Sequence, residues 1–214
     1  MLSMVQVKFA HNRSHSLPIH FHDQRSLKVG LIGGSFNPPH EGHLNIAKTA
    51  LRVLGLNEVW WLISSQNPLK IDQKMMPLET RLKKTIELAK HPKFKVLSLD
   101  NSFNTNRTNK LLKYLLPRCP SNKFIWLMGI DNLVEQHKWE KFNFITSSLP
   151  IAIFSRPGFS FRALSIFGGK NLGRRIKSQN LMNLYKYSPP AWGYIDKKRF
   201  NISSTQMRKK IKKL

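Results

Sequence analysis

From residue 28 onward, short runs of apolar residues alternate with stretches in which apolar residues recur every three or four positions. The first run, Val29 to Ile32, ends at two glycines, and the helix-spaced stretch that follows consists of Leu44, Ile46, Ala47, Ala50, Leu51 and Leu54. Short apolar runs bounded by glycine are typical of buried strands, and the wider spacing indicates an amphipathic helix. We therefore predict a strand, a loop and then a helix that begins near Glu41.

The same alternation continues along most of the chain. Further predicted strands span 58–64, 94–99, 123–128, 149–154 and a short segment near 193–195, and predicted helices span 78–90 and 109–116. Strands that alternate with helices imply βαβ units, right-handed crossovers and a parallel sheet whose ligand crevice lies at the carboxyl ends of the strands. We predict an α/β fold, with residues 156–183 as connecting structure.

The chain is predicted to form one folded domain over residues 27–214. Its 214 residues, of which 41% are hydrophobic, are enough to bury a sizeable core. Residues 1–26 contain four histidines but show no sustained periodicity, so we expect a flexible N-terminal extension. The irregular spacing of these histidines, without companion cysteines, does not indicate a metal site.

The charge balance is strongly basic, with 36 Lys and Arg against 11 Asp and Glu and a formal net charge of +25. A basic nucleic-acid-binding protein would have such a balance. The basic residues are spread along the chain, however, and no RNP-type aromatic motif or zinc-finger spacing accompanies them. We therefore expect small phosphorylated substrates, not nucleic acid, as the partners.

Cysteine content and hydropathy indicate the redox compartment and whether the chain has a membrane-spanning segment. The single cysteine, Cys119, excludes an intramolecular disulfide framework and fits a reducing compartment such as the cytoplasm. No apolar run approaches the roughly 20 residues that cross a bilayer, so we expect no integral membrane segment. The sequence leaves the oligomeric state open, including a homo-oligomer.

The first loop contains residues suited to phosphate binding. Gly33 and Gly34 end the strand with backbone that a phosphate can approach closely, and His40 and His43 flank the start of the helix. A helix N-terminus attracts anions through its free N–H groups. Neither a Walker loop nor a Gly-x-Gly-x-x-Gly fingerprint is present. From the residues alone, the two histidines fit either a polyphosphate site or a capping or solvated pair.

A second set of hydroxyl and basic residues lies near the C-terminus. Ser203, Ser204 and Thr205 are favoured at helix N-termini and are followed one turn later by Arg208. Such a helix could hold a triphosphate through its N–H groups, hydroxyls and guanidinium fork. The alternative is a helix cap without a ligand.

Two segments resemble the signatures of the nucleotidylyltransferase superfamily. Residues 33–43 (GGSFNPPHEGH) resemble Gly-Gly-Ser/Thr-Phe-Asp/Asn-Pro-x-His-x-Gly-His, and residues 202–208 (ISSTQMR) resemble Ile-Ser-Ser-Thr-x-x-Arg. Between them, segments 60–70 and 126–133 and the tripeptide His137-Lys138-Trp139 are similar to bacterial nicotinate-mononucleotide adenylyltransferases. The resemblance covers about residues 28–208 and implies a Rossmann-like doubly wound sheet, mainly parallel, of the nucleotidylyltransferase type.

The resemblance implies a reaction of NAD biosynthesis. The 5′-phosphate of nicotinate mononucleotide would attack the α-phosphorus of ATP, giving deamido-NAD and pyrophosphate. A phosphate nucleophile is already ionised near neutral pH, so the protein has to align two anions and neutralise developing charge. We expect Mg²⁺ as the cofactor, held mainly by ATP phosphates and water, with no protein metal site.

The resemblance also implies site residues. Catalytic roles are expected for His40, His43 and Arg208. Predicted ATP contacts are Gly33, Ser35, Phe36, His40, His43, Gly129, Asp131, Ser203, Ser204, Thr205 and Arg208. Predicted acceptor contacts are Asn67, Lys70, Thr108 and Trp139. Asp131 has an alternative role as the cap of the next helix, and Trp139 as a core residue.

One segment departs from the family pattern. Where these enzymes usually have Thr-x-Tyr-Thr-x-Asp-Thr-Leu, residues 105–112 have Arg107 in place of tyrosine and Lys110 in place of aspartate. The departure affects the segment expected to support the acceptor pocket and leaves the expected ATP contacts unchanged. Alternatives are transfer to nicotinamide mononucleotide or phosphopantetheine, a non-catalytic nucleotide-binding protein, and a basic nucleic-acid-binding protein.

Overall fold

The computed structural model describes residues 7–8, 26–64, 75–98, 108–134, 142–156 and 172–196, which form a single sheet flanked by helices. The strands are β1 (Val7–Lys8), β2 (Lys28–Gly34), β3 (Glu58–Ile63), β4 (Phe94–Ser98), β5 (Lys123–Gly129), β6 (Ile151–Phe154), β7 (Arg174–Ile176) and β8 (Ala191–Ile195). The helices are α1 (Glu41–Val53), α2 (Leu78–Leu88), α3 (Thr108–Arg118), α4 (Ile130–Val134), α5 (Phe142–Ser148) and a 3₁₀ helix (Ser178–Lys186).

The sheet reverses its winding direction between β2 and β5. Its strand order is β1-β4-β3-β2-β5-β6-β8-β7, and every pairing is parallel except that of β1 with β4. The chain first winds from β2 toward one edge and then from β5 toward the other. At such a reversal a crevice opens at the carboxyl ends of the two central strands. The predicted Rossmann-like doubly wound, mainly parallel sheet is confirmed.

Both faces of the central strands are buried, which explains their continuous apolar runs. Parallel sheets are covered by helices on both sides and therefore lack the alternation seen in half-exposed strands. Trp60 belongs to one apolar cluster and Trp61 to the other, and they are 4% and 0% exposed. Adjacent strand residues face opposite sides, as expected for this pair, and both indoles pack in the core.

The predicted elements agree with the observed ones to within about two residues over 28–154. The sequence did not indicate α5, which lies between two predicted strands. It also did not indicate β7 or the 3₁₀ helix, which lie in the region expected to be connecting structure. Two of the three residues of β7, Arg174 and Arg175, are exposed, so this strand lacks an apolar run. The structure also pairs Val7 with Leu97 at the sheet edge, within the expected flexible extension. For the other residues of 1–25 that expectation remains a prediction, and the helix predicted from residue 203 lies outside the described residues.

No helix among the described residues combines the length and apolar character needed to cross a membrane.

Gly33, near the end of β2, leaves room for a buried indole. A Cβ at this position would lie 2.6 Å from Trp126 Cη2 and 3.0 Å from its Cζ2, and Trp126 is 1% exposed. At Gly34 the nearest atom would be Phe36 Cε2 at 3.5 Å, an ordinary contact. The packing of β2 against β5 therefore requires glycine at Gly33, whatever contact this residue makes with a ligand.

We expect Gly33→Ala to lower the free energy of unfolding by about 1–3 kcal/mol, because a rigid, enclosed indole cannot move away from the added methyl group. Gly34→Ala is the matched control and should lower the free energy of unfolding by a smaller amount. Urea unfolding of both variants measures the difference. Equal losses in the two variants would show that Trp126 does not restrict this position.

Candidate active site

Three segments meet at the carboxyl ends of the central strands. The loop of residues 35–40 connects β2 to α1, Gly129 and Asp131 mark the passage from β5 into α4, and Arg156 follows β6. β5 pairs with both β2 and β6, so these ends are adjacent. The sheet thus brings together residues that are far apart in sequence, at the crevice expected for a ligand.

His40 and His43 cap the first helix and contact each other. His40 Nδ1 accepts a hydrogen bond from the Gly42 N–H at 3.1 Å, and His43 Nδ1 accepts one from the His40 N–H at 3.3 Å. Their ring centroids are 3.9 Å apart. Because each Nδ1 accepts a hydrogen bond, the proton of each neutral ring resides on Nε2. The capping interpretation is thus correct, and it leaves both Nε2–H groups to donate to another acceptor.

Both histidines are held in the neutral form. Burial and then the positive charge of Arg156 lower the pKa of His40 from its ordinary 6.5 to about 4. Burial, followed by the repulsion that a protonated His40 and then Arg156 exert on a second positive charge, lowers the pKa of His43 well below 6.5. Near neutral pH the pair therefore acts as hydrogen-bond donors without net charge. A bound polyanion would counteract these causes and raise both pKa values.

Arg156 is a candidate site residue that the sequence interpretation missed. A Cβ on Gly42 would lie 2.9 Å from Arg156 Nη1 and 2.8 Å from His40 Cε1, and a Cβ on Gly129 would lie 3.1 Å from Arg156 Nε. The guanidinium therefore contacts both the start of α1 and the end of β5. The available sequence signal was a basic residue two positions after a predicted strand, at the edge of the sheet where the ligand crevice is expected.

Asp131 lies in the first turn of α4 and faces Arg156. Arg156 Nε and Asp131 Oδ1 are 3.5 Å apart, and the Asp131 side chain is 42% exposed. Since α4 begins at Ile130, the residue before the helix is Gly129, and the alternative role of Asp131 as its cap is not favoured. The carboxylate can thus orient Arg156 and still present an oxygen at the surface of the crevice.

Phe36 gives the loop its shape. Its φ of 46° lies in the left-handed region, where a non-glycine residue costs on the order of 1–3 kcal/mol. The side chain is 2% exposed, and its ring centroid lies 4.9 Å from His43 and 5.4 Å from Trp61. The ring therefore supports His43 from the protein side, so a nucleotide contact by Phe36 would have to come from its backbone.

Arg81 and Asn37 connect this loop to the start of α2. Arg81 Nη1 donates to the carbonyls of Ser35 and Ser64, each at 2.7 Å, and Arg81 Nε donates to the Met76 carbonyl at 3.0 Å. Asn37 Oδ1 accepts a hydrogen bond from the Met76 N–H at 3.1 Å. Arg81 is 1% exposed, and burial lowers the pKa of its guanidinium. Three carbonyl dipoles thus offset the cost of burying this charge.

Several predicted site residues lie outside the described residues: Asn67, Lys70, Trp139, Ser203, Ser204, Thr205 and Arg208. Thr108 is the first residue of α3, and nothing is described of its side chain. The next residue, Asn109, is 4% exposed, and its Oδ1 has no hydrogen-bond partner among the described residues. The structure therefore brings together Gly33, Ser35, Phe36, His40, His43, Gly129 and Asp131, and the other predicted contacts stay predictions.

Acidic and sulfur ligands are sparse in the described part of the chain. No three His, Cys, Asp or Glu side chains there come together as a group that could hold a metal ion. The groups at the crevice are two imidazole donors, one guanidinium and one carboxylate. Such a set suits a phosphorylated ligand that brings its own divalent cation more than it suits a cation held by the protein.

Comparisons with known proteins agree on one family. The sequence matches the family model described as cytidylyltransferase-like over residues 31–210. It is 38% identical over 188 residues to a probable nicotinate-nucleotide adenylyltransferase of Rhizobium johnstonii, covering 87% of this chain and 94% of the relative. A relative of the same description from Brucella abortus is 38% identical over 184 residues, covering 86% and 95%.

The fold is similar to that of a solved structure, Plasmodium falciparum nicotinic acid mononucleotide adenylyltransferase complexed with NaAD. The TM-score is 0.60 at 18% sequence identity, over 86% of this chain and 83% of that one. At this identity the likeness shows the fold, which is of the nucleotidylyltransferase type.

His40→Asn should make the free energy of unfolding depend less on pH in the acidic range. In the folded protein the pKa of His40 is about 4, against 6.5 ordinarily, so below pH 6.5 the unfolded chain binds the proton more readily. Stability is therefore full above pH 6.5 and falls as pH drops toward 4. Asparagine keeps a capping acceptor but does not titrate. We expect the slope over this window to decrease by about 1 kcal/mol per pH unit.

Urea unfolding of wild type and His40→Asn at pH 7, 6, 5 and 4.5 measures this slope. Parallel curves for the two proteins would show that His40 titrates alike in the folded and unfolded states.

Proposed function

The chain belongs to the nicotinate-nucleotide adenylyltransferases of the cytidylyltransferase-like family, and from this we infer that it transfers the adenylyl group of ATP to nicotinate mononucleotide. The products are deamido-NAD (nicotinate adenine dinucleotide) and pyrophosphate, in NAD biosynthesis. The structural observation that carries this function is the pair of neutral histidines at the start of α1, next to Arg156, at the point where the sheet reverses.

The reaction needs alignment and charge stabilisation more than proton transfer. An oxygen of the nicotinate mononucleotide 5′-phosphate forms a bond to the α-phosphorus of ATP, and the bond from that phosphorus to the bridging oxygen breaks. Pyrophosphate leaves with the electron pair. Because the attacking oxygen is already ionised, no general base is required, which agrees with a site whose histidines serve as donors.

His40 and His43 act on the phosphates of ATP. Their Nε2–H groups donate to phosphate oxygens, and the positive end of α1 favours anions. As negative charge develops on the phosphate oxygens in the transition state, the hydrogen bonds from these Nε2–H groups strengthen. Arg156 adds a fixed positive charge beside them, oriented by Asp131.

The nucleoside half of ATP is assigned to the ends of β2 and β5. The backbone at Gly33, Ser35 and Phe36 and the surface at Gly129 and Asp131 lie on either side of the crevice. The exposed part of the Asp131 carboxylate is suited to hydrogen bonds from ribose hydroxyls or the adenine amino group. From the sequence signature, we place Ser203, Ser204, Thr205 and Arg208 on the outer phosphates.

The acceptor is assigned to Asn67, Lys70, Thr108 and Trp139. α3 begins at Thr108, after β4, so its N-terminus belongs to the same edge of the sheet as the histidines. A helix N-terminus is suited to the carboxylate of nicotinate. Arg107 and Lys110, which replace tyrosine and aspartate of the usual family stretch, add positive charge to this segment. We therefore propose that the acid is preferred over the amide.

Mg²⁺ is proposed to enter with the ATP phosphates, and it would neutralise charge on the pyrophosphate leaving group. None of the described residues is assigned as its ligand. We place the enzyme in the cytoplasm, with ATP and nicotinate mononucleotide as its partners and no nucleic acid or membrane partner.

Pyrophosphate release by the purified full chain with Mg²⁺-ATP tests the function, with nicotinate and nicotinamide mononucleotide supplied separately. We expect turnover with the nicotinate form and at least tenfold lower kcat/KM with the amide. His43→Asn should lower kcat by on the order of 10²-fold or more, because one transition-state donor is lost. Lys48→Ala, an exposed position on α1, is the control. ATP binding without turnover of either acceptor would favour a non-catalytic nucleotide-binding protein.

Arg156→Met should lower kcat by on the order of 10²-fold, since a fixed positive charge beside the phosphates is removed. Arg156→Lys should recover part of that loss, because it keeps the charge but not the fork that contacts Asp131. Steady-state kinetics of both variants, with exposed Arg52→Met as the matched control, measures the effect. Full activity of Arg156→Met would remove this residue from the site.

A further inference from the structure

Arg81 makes contacts that the reaction itself does not explain. It lies on α2, is 1% exposed, and donates hydrogen bonds to carbonyls of three different segments. One carbonyl belongs to Ser35 in the loop of residues 35–40, one to Ser64 after β3, and one to Met76 before α2. A buried guanidinium that joins three segments fixes their relative positions, because its donors have a rigid fork geometry.

The Ser35 carbonyl belongs to the peptide that precedes Phe36. Phe36 has the left-handed φ of 46°, a conformation that persists only where the surroundings impose it. The loop is tied to the start of α2 on both sides of this residue, through Arg81 at Ser35 and through the Met76 N–H at Asn37. Ser64, whose carbonyl also accepts from Arg81 Nη1, is bound to the end of β2 as well, because its N–H donates to the Gly34 carbonyl at 3.1 Å.

The constrained residue contacts a histidine of the site. The Phe36 ring lies edge-on to His43 at 4.9 Å and against Trp61 at 5.4 Å. If Phe36 relaxed to an ordinary φ, its ring would leave this position and His43, which is already partly exposed, would become more exposed to water. The contacts thus form a chain from Arg81 through the Ser35 carbonyl to Phe36 and then to His43.

We propose that Arg81 is a positioning residue, which holds the strained Phe36 peptide so that its ring keeps His43 in place for phosphate binding. Arg81 need not touch the nucleotide for this role. The kinetic part of the proposal rests on the proposed function, and the structural part does not.

The first test measures His43 in the substrate-free full chain. The pH dependence of hydrogen–deuterium exchange at its Cε1, followed by mass spectrometry, gives the pKa of the ring. In wild type, burial and the charges of His40 and Arg156 hold the pKa of His43 well below 6.5. We expect Arg81→Lys, which keeps a charge but loses the fork, to move it toward 6.5, because burial is the largest cause of the lowering.

Leu82→Ala is the matched control for a simple loss of stability. Leu82 neighbours Arg81 on α2, is 7% exposed, and packs in the core without a hydrogen bond to the loop. We expect it to lower the melting temperature without changing the pKa of His43. If Arg81→Lys also leaves this pKa unchanged, the proposal is overturned. Should Arg81→Lys not fold, Asn37→Ala removes the other connection and is expected to shift the pKa in the same direction; no shift there overturns the proposal as well.

The second test is a kinetic double-mutant cycle. Arg81→Lys should lower kcat about tenfold or more with little change in KM, since misplaced donors weaken the transition state more than the ground state. In a His43→Asn background the same substitution should lower kcat less than about twofold. Equal losses of kcat in the wild-type and His43→Asn backgrounds would show that Arg81 does not act through His43, and this would overturn the proposal. If wild type does not turn over nicotinate mononucleotide but Arg81→Lys shifts the pKa of His43, the proposed function fails and the positioning role stands.

Discussion

The satisfaction of backbone N–H groups at the start of α1 is the interaction on which this site depends. The first N–H groups of a helix have no partner within the helix, and here they lie in a buried crevice between β2 and β5. His40 and His43 supply the acceptors through Nδ1. The use of Nδ1 as the acceptor fixes the tautomer of both rings and leaves each Nε2–H as a donor. An aspartate cap would satisfy the helix equally well, but an ionised carboxylate has no proton to donate to a ligand.

The site accumulates features that oppose folding. Two histidines are held in the neutral form, a guanidinium is buried, and Phe36 has a strained backbone. Each feature costs on the order of a kilocalorie per mole or more in isolation. The large parallel sheet, buried on both faces, offsets them through apolar burial. Preorganisation for binding a polyanion is therefore supported by a core that lies directly beneath it.

Charge acts locally in this protein. The net charge of +25 comes from residues along the whole chain, and a basic total by itself suits many anionic partners. At the crevice, the guanidinium of Arg156 contacts the glycines at the start of α1 and at the end of β5. Its closeness to His40 and His43 lowers both their pKa values. Burial, reinforced by this one nearby cation, thus sets the protonation state of the site, which the overall charge does not.

The sequence by itself determined the order of the strands from β2 to β6 and of the helices α1, α2 and α3 between them, the loop that carries the histidines, and the family. These features are local, because periodicity, glycine placement and a continuous signature are all read within a short window. Tertiary structure decided the contacts of Arg156 and Arg81. Arg81 meets Ser35 across 46 positions, and Gly33 makes room for Trp126 only because β2 pairs with β5 in one register. Such contacts depend on how distant strands align, and no local pattern contains that alignment.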